Sequence, residues 1–332
     1  MKSVGWGVIG CSDIVEKRAG AAIAAQEESR LVAFHSRTKA RAEEFAQRFS
    51  ADAAYDNIGA FLADRRMDVV YVATEVDRHA ELTIAAAEAG KHVLVEKPMA
   101  LDTRECRSMI DAARRNGVQL SVAYYVRFFQ KPQVMKELID QGALGKIVRA
   151  NVRAMYRYDP SPDSPKYWRV TARGGGNVLA DTGSHRLDLM TYFFGRPTRV
   201  CGMVDRLTMS YEAADTETGL VQFENGAHLT ILANANVGPA SGGLTVEIYG
   251  TEGALVTDPW SDEPVQIVGS DMAPVTVQLP ANEHGPMVDD FARAIFAGTE
   301  PRFSGLDGMW ATAVIAAIYE SAAGDRLVTL SQ

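Results

Sequence analysis

Over its first 123 residues the chain alternates short apolar runs with helix-like segments, and few architectures accept that rhythm. VGWGVIG (4–10), RLVAFHS (30–36), DVVYVAT (68–74), HVLVE (92–96) and QLSVAY (119–124) read as strands. RTKARAEEFAQRF (37–49) and HAELTIAAAEAG (79–90) read as helices, the second stopping at Gly90 as a helix end should. Strands alternating with helices predict βαβ units, which right-handed crossovers assemble into a parallel sheet. Near residue 124 the character changes. KIVRANVRAMYRY, TRVCGMVDRLTM and TGLVQFENGAHLTILANANV are longer, richer in β-branched residues and spaced for hairpins, with ENG at 224–226 as a turn. The expectation is an α/β chain of two domains: a parallel-sheet domain over 1–123, and a domain over 124–332 built on a large, mainly antiparallel sheet with a few helices. No internal repeat or low-complexity linker interrupts it.

Bulk properties narrow the partners. At 332 residues, 47% hydrophobic and 23% charged, the chain has the balance of an ordinary globular protein with two cores. A net charge of −8 and the lack of Lys/Arg runs with interleaved aromatics predict no nucleic-acid partner. No signal peptide and no apolar stretch of membrane length are read, so no membrane partner is expected. Cys11, Cys106 and Cys201 lie far apart without a CxxC, which predicts a reducing, cytoplasmic setting with neither disulfides nor zinc.

The first strand runs directly into Gly10-Cys11-Ser12-Asp13-Ile14-Val15, which opens a helix. A glycine there lets the backbone turn tightly and approach a pyrophosphate, which the helix N-terminus attracts. Of the fingerprint GxGxxG/A, falling at Gly10, Ser12 and Val15, only the first glycine is intact, and Ser12 offers a hydroxyl to phosphate in place of the second. The plain alternative is a βα turn that binds nothing. About twenty residues on, a site for NAD carries an acid for the ribose 2′-hydroxyl. Here the second strand ends in Ser36 and Arg37, followed by Lys39 and Arg41, with no acid in reach. A serine hydroxyl with a guanidinium suits a 2′-phosphate. NADP(H) is therefore expected, with NAD(H) as the alternative and a merely solvated helix start as the bland reading.

The run Gly90-Lys91-His92-Val93-Leu94-Val95-Glu96-Lys97-Pro98, with Val72-Ala73-Thr74 and His79 before it, resembles the glucose–fructose oxidoreductase/inositol dehydrogenase/MocA (GFO/IDH/MocA) family of NAD(P)-dependent oxidoreductases. The likeness covers essentially the whole chain. Arg127-Phe128, the segment Gly174-Gly175-Gly176…Asp181…His185, the run Glu247–Gly253 and the final Gly-Leu-Asp-Gly helix from 305 are similar too. The glycine-poor turn Gly10-Cys11-Ser12 is most like 1,5-anhydrofructose reductases and related sugar ketoreductases. Two positions depart: Thr74-Glu75 stands where the family usually has Thr-Pro, and Val76 where an Asn often follows. The resemblance implies a Rossmann nucleotide domain, a second domain with an open-faced sheet, and a homodimer or homotetramer joined through that face.

It also implies a chemistry. Hydride transfer at a sugar or cyclitol carbon needs a matching proton transfer at its oxygen, hence an acid/base within hydrogen-bond reach. The family assigns that place to Lys97, with Glu96 orienting it and a cis Lys97–Pro98 bond expected. Asp181 is implied as a ligand of sugar hydroxyls and His185 as the acid/base or relay partner. Asp181 and His185 stand four apart on one helix stripe with Asp188 three further on. An Asp-x-x-x-His pair also suits a metal, which needs a third and usually a fourth ligand, and no metal is expected. A packed core histidine is the other reading. Gly10, Ser12, Asp13, Ile14, Ser36, Arg37, Arg41, Thr74, His79, Glu96 and Lys97 are the expected cofactor contacts. Tyr124, Arg127, Trp168, Arg169, Asp188 and His284 join Asp181 and His185 as expected substrate contacts, with packing as the alternative. The expected activity is an NADP(H)-dependent sugar or polyol dehydrogenase or reductase. A non-catalytic nucleotide- or sugar-sensing protein is the rival from another class.

Overall fold

The computed structural model describes residues 3–171, 175–238 and 245–330, so Gly174 of the expected Gly174-Gly175-Gly176 segment lies outside the described residues. Two compact units are present: Met1–Tyr125 with Pro280–Met309, and Val126–Leu279 with Trp310–Gln332.

The first unit is built on β1 (Val4–Ile9), β2 (Ser29–His35), β3 (Ala53–Tyr55), β4 (Val69–Val72), β5 (His92–Val95) and β6 (Leu120–Val122), all parallel in the order β3-β2-β1-β4-β5-β6. This is the doubly wound order in which two βαβ halves run outward from β1 and β4. Every residue of β1 and β4 is buried, as a sheet covered on both faces requires. The helices are α1 (Gly20–Ala24), α2 (Lys39–Arg48), α3 (Ile58–Leu62), α4 (His79–Glu88) and α5 (Thr103–Arg115). The three-residue β3 was not expected, because AAY is half-buried and carries no apolar run.

The second unit contributes α6 (Gln130–Asp140), β7 (Ile147–Met155), α7 (Ser184–Phe194), β8 (Pro197–Asp205), β9 (Thr216–Phe223), β10 (His228–Asn234), β11 (Val246–Gly250), β12 (Ala254–Thr257), β13 (Ile267–Val268) and β14 (Val328–Thr329). Its eight strands pair in the order β13-β12-β11-β7-β10-β9-β8-β14. Only β7 and β10 run parallel; the other pairs are antiparallel. The ENG turn joins β9 to β10, with Gly226 at φ +87° and Phe223 N–H on the Ala227 carbonyl. Alternation along the strands makes two unlike faces. Ala150, Val152 and Ala154 of β7 and Leu229, Ile231 and Ala233 of β10 are buried, whereas Met203, Leu220 and Val256 on the other face are exposed.

Two further helices complete the chain, α8 (Gly285–Ala297) and α9 (Gly305–Gly324). Residues 280–309, placed by the sequence reading in the second domain, belong to the first compact unit. The reason is the apolar stripe Met287, Val288, Phe291 and Ala292, which seats α8 under β1 with the Trp6 and Phe291 rings 6.0 Å apart. From Trp310 onward α9 covers the inner face of the second sheet. There Gly202 and Gly219 leave room for Ile318, whose side chain an added Cβ would meet at 2.7 and 2.5 Å. Among the described residues no helix is long and apolar enough to cross a membrane.

Candidate active site

Parallel strands end on one edge, and the first unit's candidate residues follow those ends: Gly10 after β1, Ser36 after β2, Thr74 after β4, Glu96 to Pro98 after β5 and Tyr124 after β6. Gly10 has φ +100°, and a Cβ there would stand 2.4 Å from the Ala73 carbonyl oxygen, so only glycine fits. Ser12 accepts the Glu16 N–H on its carbonyl at 3.0 Å and starts the helix, which widens to a π-turn over Val15–Ala19 before α1. The Ser12 hydroxyl is buried and has no partner among the described residues. A closely approached backbone, an unsatisfied hydroxyl and a helix start together fit the pyrophosphate of a dinucleotide. Asp13 is exposed and pairs with Lys17 at 3.1 Å; Ile14 is half-buried at the helix start. Cys11 is inert in this turn, since burial pushes its thiol up to about 12.

At the β2 end Ser36 is half-buried and donates its N–H to the Tyr55 carbonyl, while Arg37 is exposed with no ion pair among the described residues. Arg41, the other expected cofactor contact here, engages its own helix. Its guanidinium is held by Glu44 at 2.7 Å and lies 4.6 Å over the Phe45 ring, so its charge is already matched.

The Glu96-Lys97-Pro98 segment rests on buried polar contacts. Glu96 accepts the Tyr71 hydroxyl at 2.5 Å and the Lys97 N–H at 3.1 Å, and His284 Nε2 lies 3.4 Å from the same oxygen that Tyr71 engages. Burial acts to raise the Glu96 pKa. Hydrogen bonds from His284 and Tyr71, with the Lys97 charge, outweigh it and hold the carboxyl below its ordinary value, so it is ionised. Lys97 is half-buried and the Lys97–Pro98 bond is cis. His79, expected at the cofactor, is buried; its ring nitrogens face the Pro98 and Thr74 carbonyls at 3.0 and 3.1 Å. Burial lowers its pKa, and the ring ties the β4 and β5 ends together. His284, expected to face substrate, is fully buried behind Glu96 and stacked on Tyr125 at 4.7 Å. It supports the Lys97 platform because α8 returns to this unit. Tyr124 is buried at the end of β6.

In the second unit the segment carrying Asp181 and His185 opens as a π-turn, Leu179–Gly183, before α7. Its first N–H groups are capped from outside. Leu179 donates to the Glu217 carboxyl at 2.9 Å, Ala180 to Asn177 Oδ1 at 2.5 Å, and Asp181 to the Asn177 carbonyl at 3.0 Å. Arg169 Nη1 lies 3.4 Å from Asp181 Oδ2, and its guanidinium carbon stands 5.4 Å from the Trp168 ring centre. Gly176 crosses directly over the Arg169 carbonyl, where a Cβ would come within 1.8 Å, so this glycine serves a backbone contact. Tyr156, Tyr158, Tyr211, Arg169, Asn177 and Asp181 line a recess. Burial raises all three phenols, Tyr211 to about 12, so they remain protonated and offer hydroxyls at neutral pH.

His185 is buried, with the Trp260 ring at 5.8 Å and nearly perpendicular. Arg127 and Asp188, both expected at the substrate, instead face each other at 2.5 Å with almost no exposure, and Arg127 also donates to Thr191 at 3.1 Å. Burial of both partners requires that pairing and gives it a packing role. Sequence reasoning missed Tyr71, Tyr156, Tyr158, Tyr211, Glu217 and Trp260. A tyrosine inside the otherwise aliphatic VVYV strand and a glutamate at an inward position of β9 were the available signals.

Residues 4–124 match the oxidoreductase family GFO/IDH/MocA, NAD-binding Rossmann fold, and residues 133–256 match a GFO/IDH/MocA C-terminal domain. Among curated proteins, the chain is 30% identical over 326 residues to the 1,5-anhydro-D-fructose reductase of Ensifer adhaerens, covering 96% of each. It is 28% identical to a D-xylose 1-dehydrogenase (NADP(+)) of Haloferax volcanii, over 98% of this chain and 99% of that one. Among solved structures, a levoglucosan dehydrogenase in complex with NADH and L-sorbose superposes with a TM-score of 0.89 at 26% identity, over 99% of both chains.

Glu217 generates a prediction. It is buried, its second oxygen takes the Tyr319 hydroxyl at 2.7 Å, and burial pushes its carboxyl up to about 8. With a folded value above the unfolded one of about 4.3, its stabilisation is complete below that unfolded value and is lost as pH rises through about 8. Glu217→Gln keeps an acceptor for Leu179 and removes the titration. Thermal melts from pH 5 to 9 are expected to show the wild type losing up to about 1.4 kcal/mol per pH unit relative to the variant between pH 5 and 8. Parallel pH curves would remove Glu217 from that role.

Proposed function

Because the chain belongs to the GFO/IDH/MocA family of NAD(P)-dependent oxidoreductases, we propose that it transfers a hydride between NADP(H) and a carbon of a sugar, keto-sugar or cyclitol. The observation that carries this reading is Lys97 at the end of β5, its backbone N–H held by a Glu96 carboxylate that Tyr71 and His284 also engage, on the same sheet edge as the Gly10 turn. When bound, the dinucleotide supplies or accepts the hydride. The Gly10 turn and the Ser12 hydroxyl would hold its pyrophosphate, and Ser36 with Arg37 the 2′-phosphate. Thr74 and the Lys97 segment would lie along its nicotinamide side. Lys97 gives a proton to the carbonyl oxygen on reduction or takes one on oxidation, and its charge stabilises a forming alkoxide. His185 is the second proton-handling group. Asp181 accepts hydrogen bonds from sugar hydroxyls while Arg169 and the tyrosine hydroxyls donate, and aromatic faces suit the C–H faces of a sugar ring. The sugars named for the relatives agree with such a polyhydroxylated substrate.

Two experiments test the reading. Titrating the protein with NADPH and with NADH, followed by nicotinamide fluorescence, is expected to show tighter NADPH binding, lost in Arg37→Ala; preference for NADH would reverse the cofactor assignment. Lys97→Met is expected to lower turnover of the accepted sugar about 10²–10⁴-fold while nucleotide still binds. Turnover within tenfold of wild type would reject Lys97 as the proton donor.

The exposed apolar positions Met203, Leu220 and Val256 on the open sheet face support a homodimer or homotetramer joined there. Light scattering on the eluting peak is expected to give a multiple of 36.0 kDa; a purely monomeric peak would refute it.

A further inference from the structure

Trp260 and Lys131 have no part in the chemistry above, yet the packing of the second unit connects both to His185. After β12 the chain makes a tight loop in which Trp260 donates its N–H to Asp258 Oδ1 at 3.0 Å and Ser261 donates its N–H to the Asp258 carbonyl at 3.1 Å. Lys131 of α6 is buried under this loop. Its ammonium donates to Thr257 Oγ1 at 3.1 Å, the Asp258 carbonyl at 3.2 Å and Ser261 Oγ at 2.6 Å, three acceptors for three protons. The loop in turn presents the indole to α7. Its ring meets His185 at 5.8 Å with an interplanar angle of 88°, and the Arg186 guanidinium lies 4.4 Å from its centre. Consecutive residues of α7 therefore grip one aromatic ring.

A buried ammonium is costly. Burial lowers the Lys131 pKa, and Glu263, Asp258 and Asp262 only partly counter it. If α6 merely had to pack against this loop, a leucine or methionine would serve without that cost. What the lysine adds is a fixed loop geometry, and what the geometry fixes is the indole against the imidazole.

We propose that Trp260 is a positioning residue for the His185 imidazole and that Lys131 holds the loop that places it. The inference rests on the reading of His185 as a proton-handling group. The perpendicular contact restricts rotation of the imidazole plane and keeps water from that side of it, so the ring nitrogens stay aligned for transfer.

The test combines Trp260→Leu, Trp260→Phe, Lys131→Met and His185→Asn, with thermal melts confirming that each variant folds. Trp260→Leu is expected to lower kcat about 10- to 100-fold, with sugar KM and nucleotide Kd nearly unchanged and most activity restored in Trp260→Phe. Lys131→Met should follow the same pattern. In the His185→Asn background, Trp260→Leu should have little further effect, because residues acting through one group are not additive. Effects that multiply would overturn the proposal and make the indole a direct sugar contact. A second readout needs no turnover. The chain has six histidines, so the His185 ring-proton resonance is assignable from its loss in His185→Asn. Indole ring current should displace it, and Trp260→Leu should move it. An unmoved resonance would overturn the contact itself. A resonance that moves in a protein turning over no sugar would keep the contact and overturn its catalytic use.

Discussion

The Glu96 carboxylate is the interaction on which the nucleotide half depends. A parallel sheet brings its strand ends to one edge, but it does not by itself fix the side chains there. Glu96 supplies that fixity by gathering the Tyr71 hydroxyl from β4, the His284 ring from the start of α8 and the Lys97 amide. Tyr71 and His284 come from distant stretches of sequence, so the carboxylate that holds the Lys97 amide is itself fixed by tertiary structure. His79 acts alongside by spanning the Thr74 and Pro98 carbonyls. The two strand ends that flank the proposed nicotinamide position are thereby joined through one imidazole.

The second unit follows the same logic with different groups. Glu217 caps the turn that carries Asp181, the Arg127–Asp188 pair anchors α7, and Lys131 sets the Trp260 loop. Each is a buried charge or acid whose desolvation costs more than apolar packing would. Nothing in a simple helix-on-sheet layer calls for them. Their common property is that each terminates on the π-turn, on α7 or on the loop touching it, the elements that hold Asp181 and His185. Polar groups are spent where orientation matters, and the rest of the core is left aliphatic.

Periodicity made much of this legible from sequence. The parallel strands, the change of character near residue 124, the 224–226 hairpin and the mainly antiparallel second sheet all follow from apolar spacing and turn residues. Gly10, Glu96, Lys97, Asp181 and His185 could be singled out because motifs place them at element ends. Several expected contacts proved to be engaged with other protein groups, and these share a cause. Arg127, Asp188, His79 and His284 are polar residues near motif positions, and sequence cannot say whether such a group faces a ligand or another buried polar group. His284 shows it well: only the return of α8 to the first unit puts its ring behind Glu96. Tyr156, Tyr158 and Tyr211 escaped notice because the recess they share joins segments far apart in the chain, none of which carries a motif.

The return of residues 280–309 to the first unit also governs how the protein could be divided. A fragment ending at residue 125 would contain every strand of the parallel sheet and every predicted nucleotide contact. It would lack Phe291, leaving the Trp6 side of β1 uncovered, and it would lack His284, removing one of the groups that keep Glu96 ionised. The nucleotide module is thus discontinuous in the gene. A shuffling or domain-exchange experiment that treats it as one contiguous cassette would transfer the fingerprint without the support beneath its lysine.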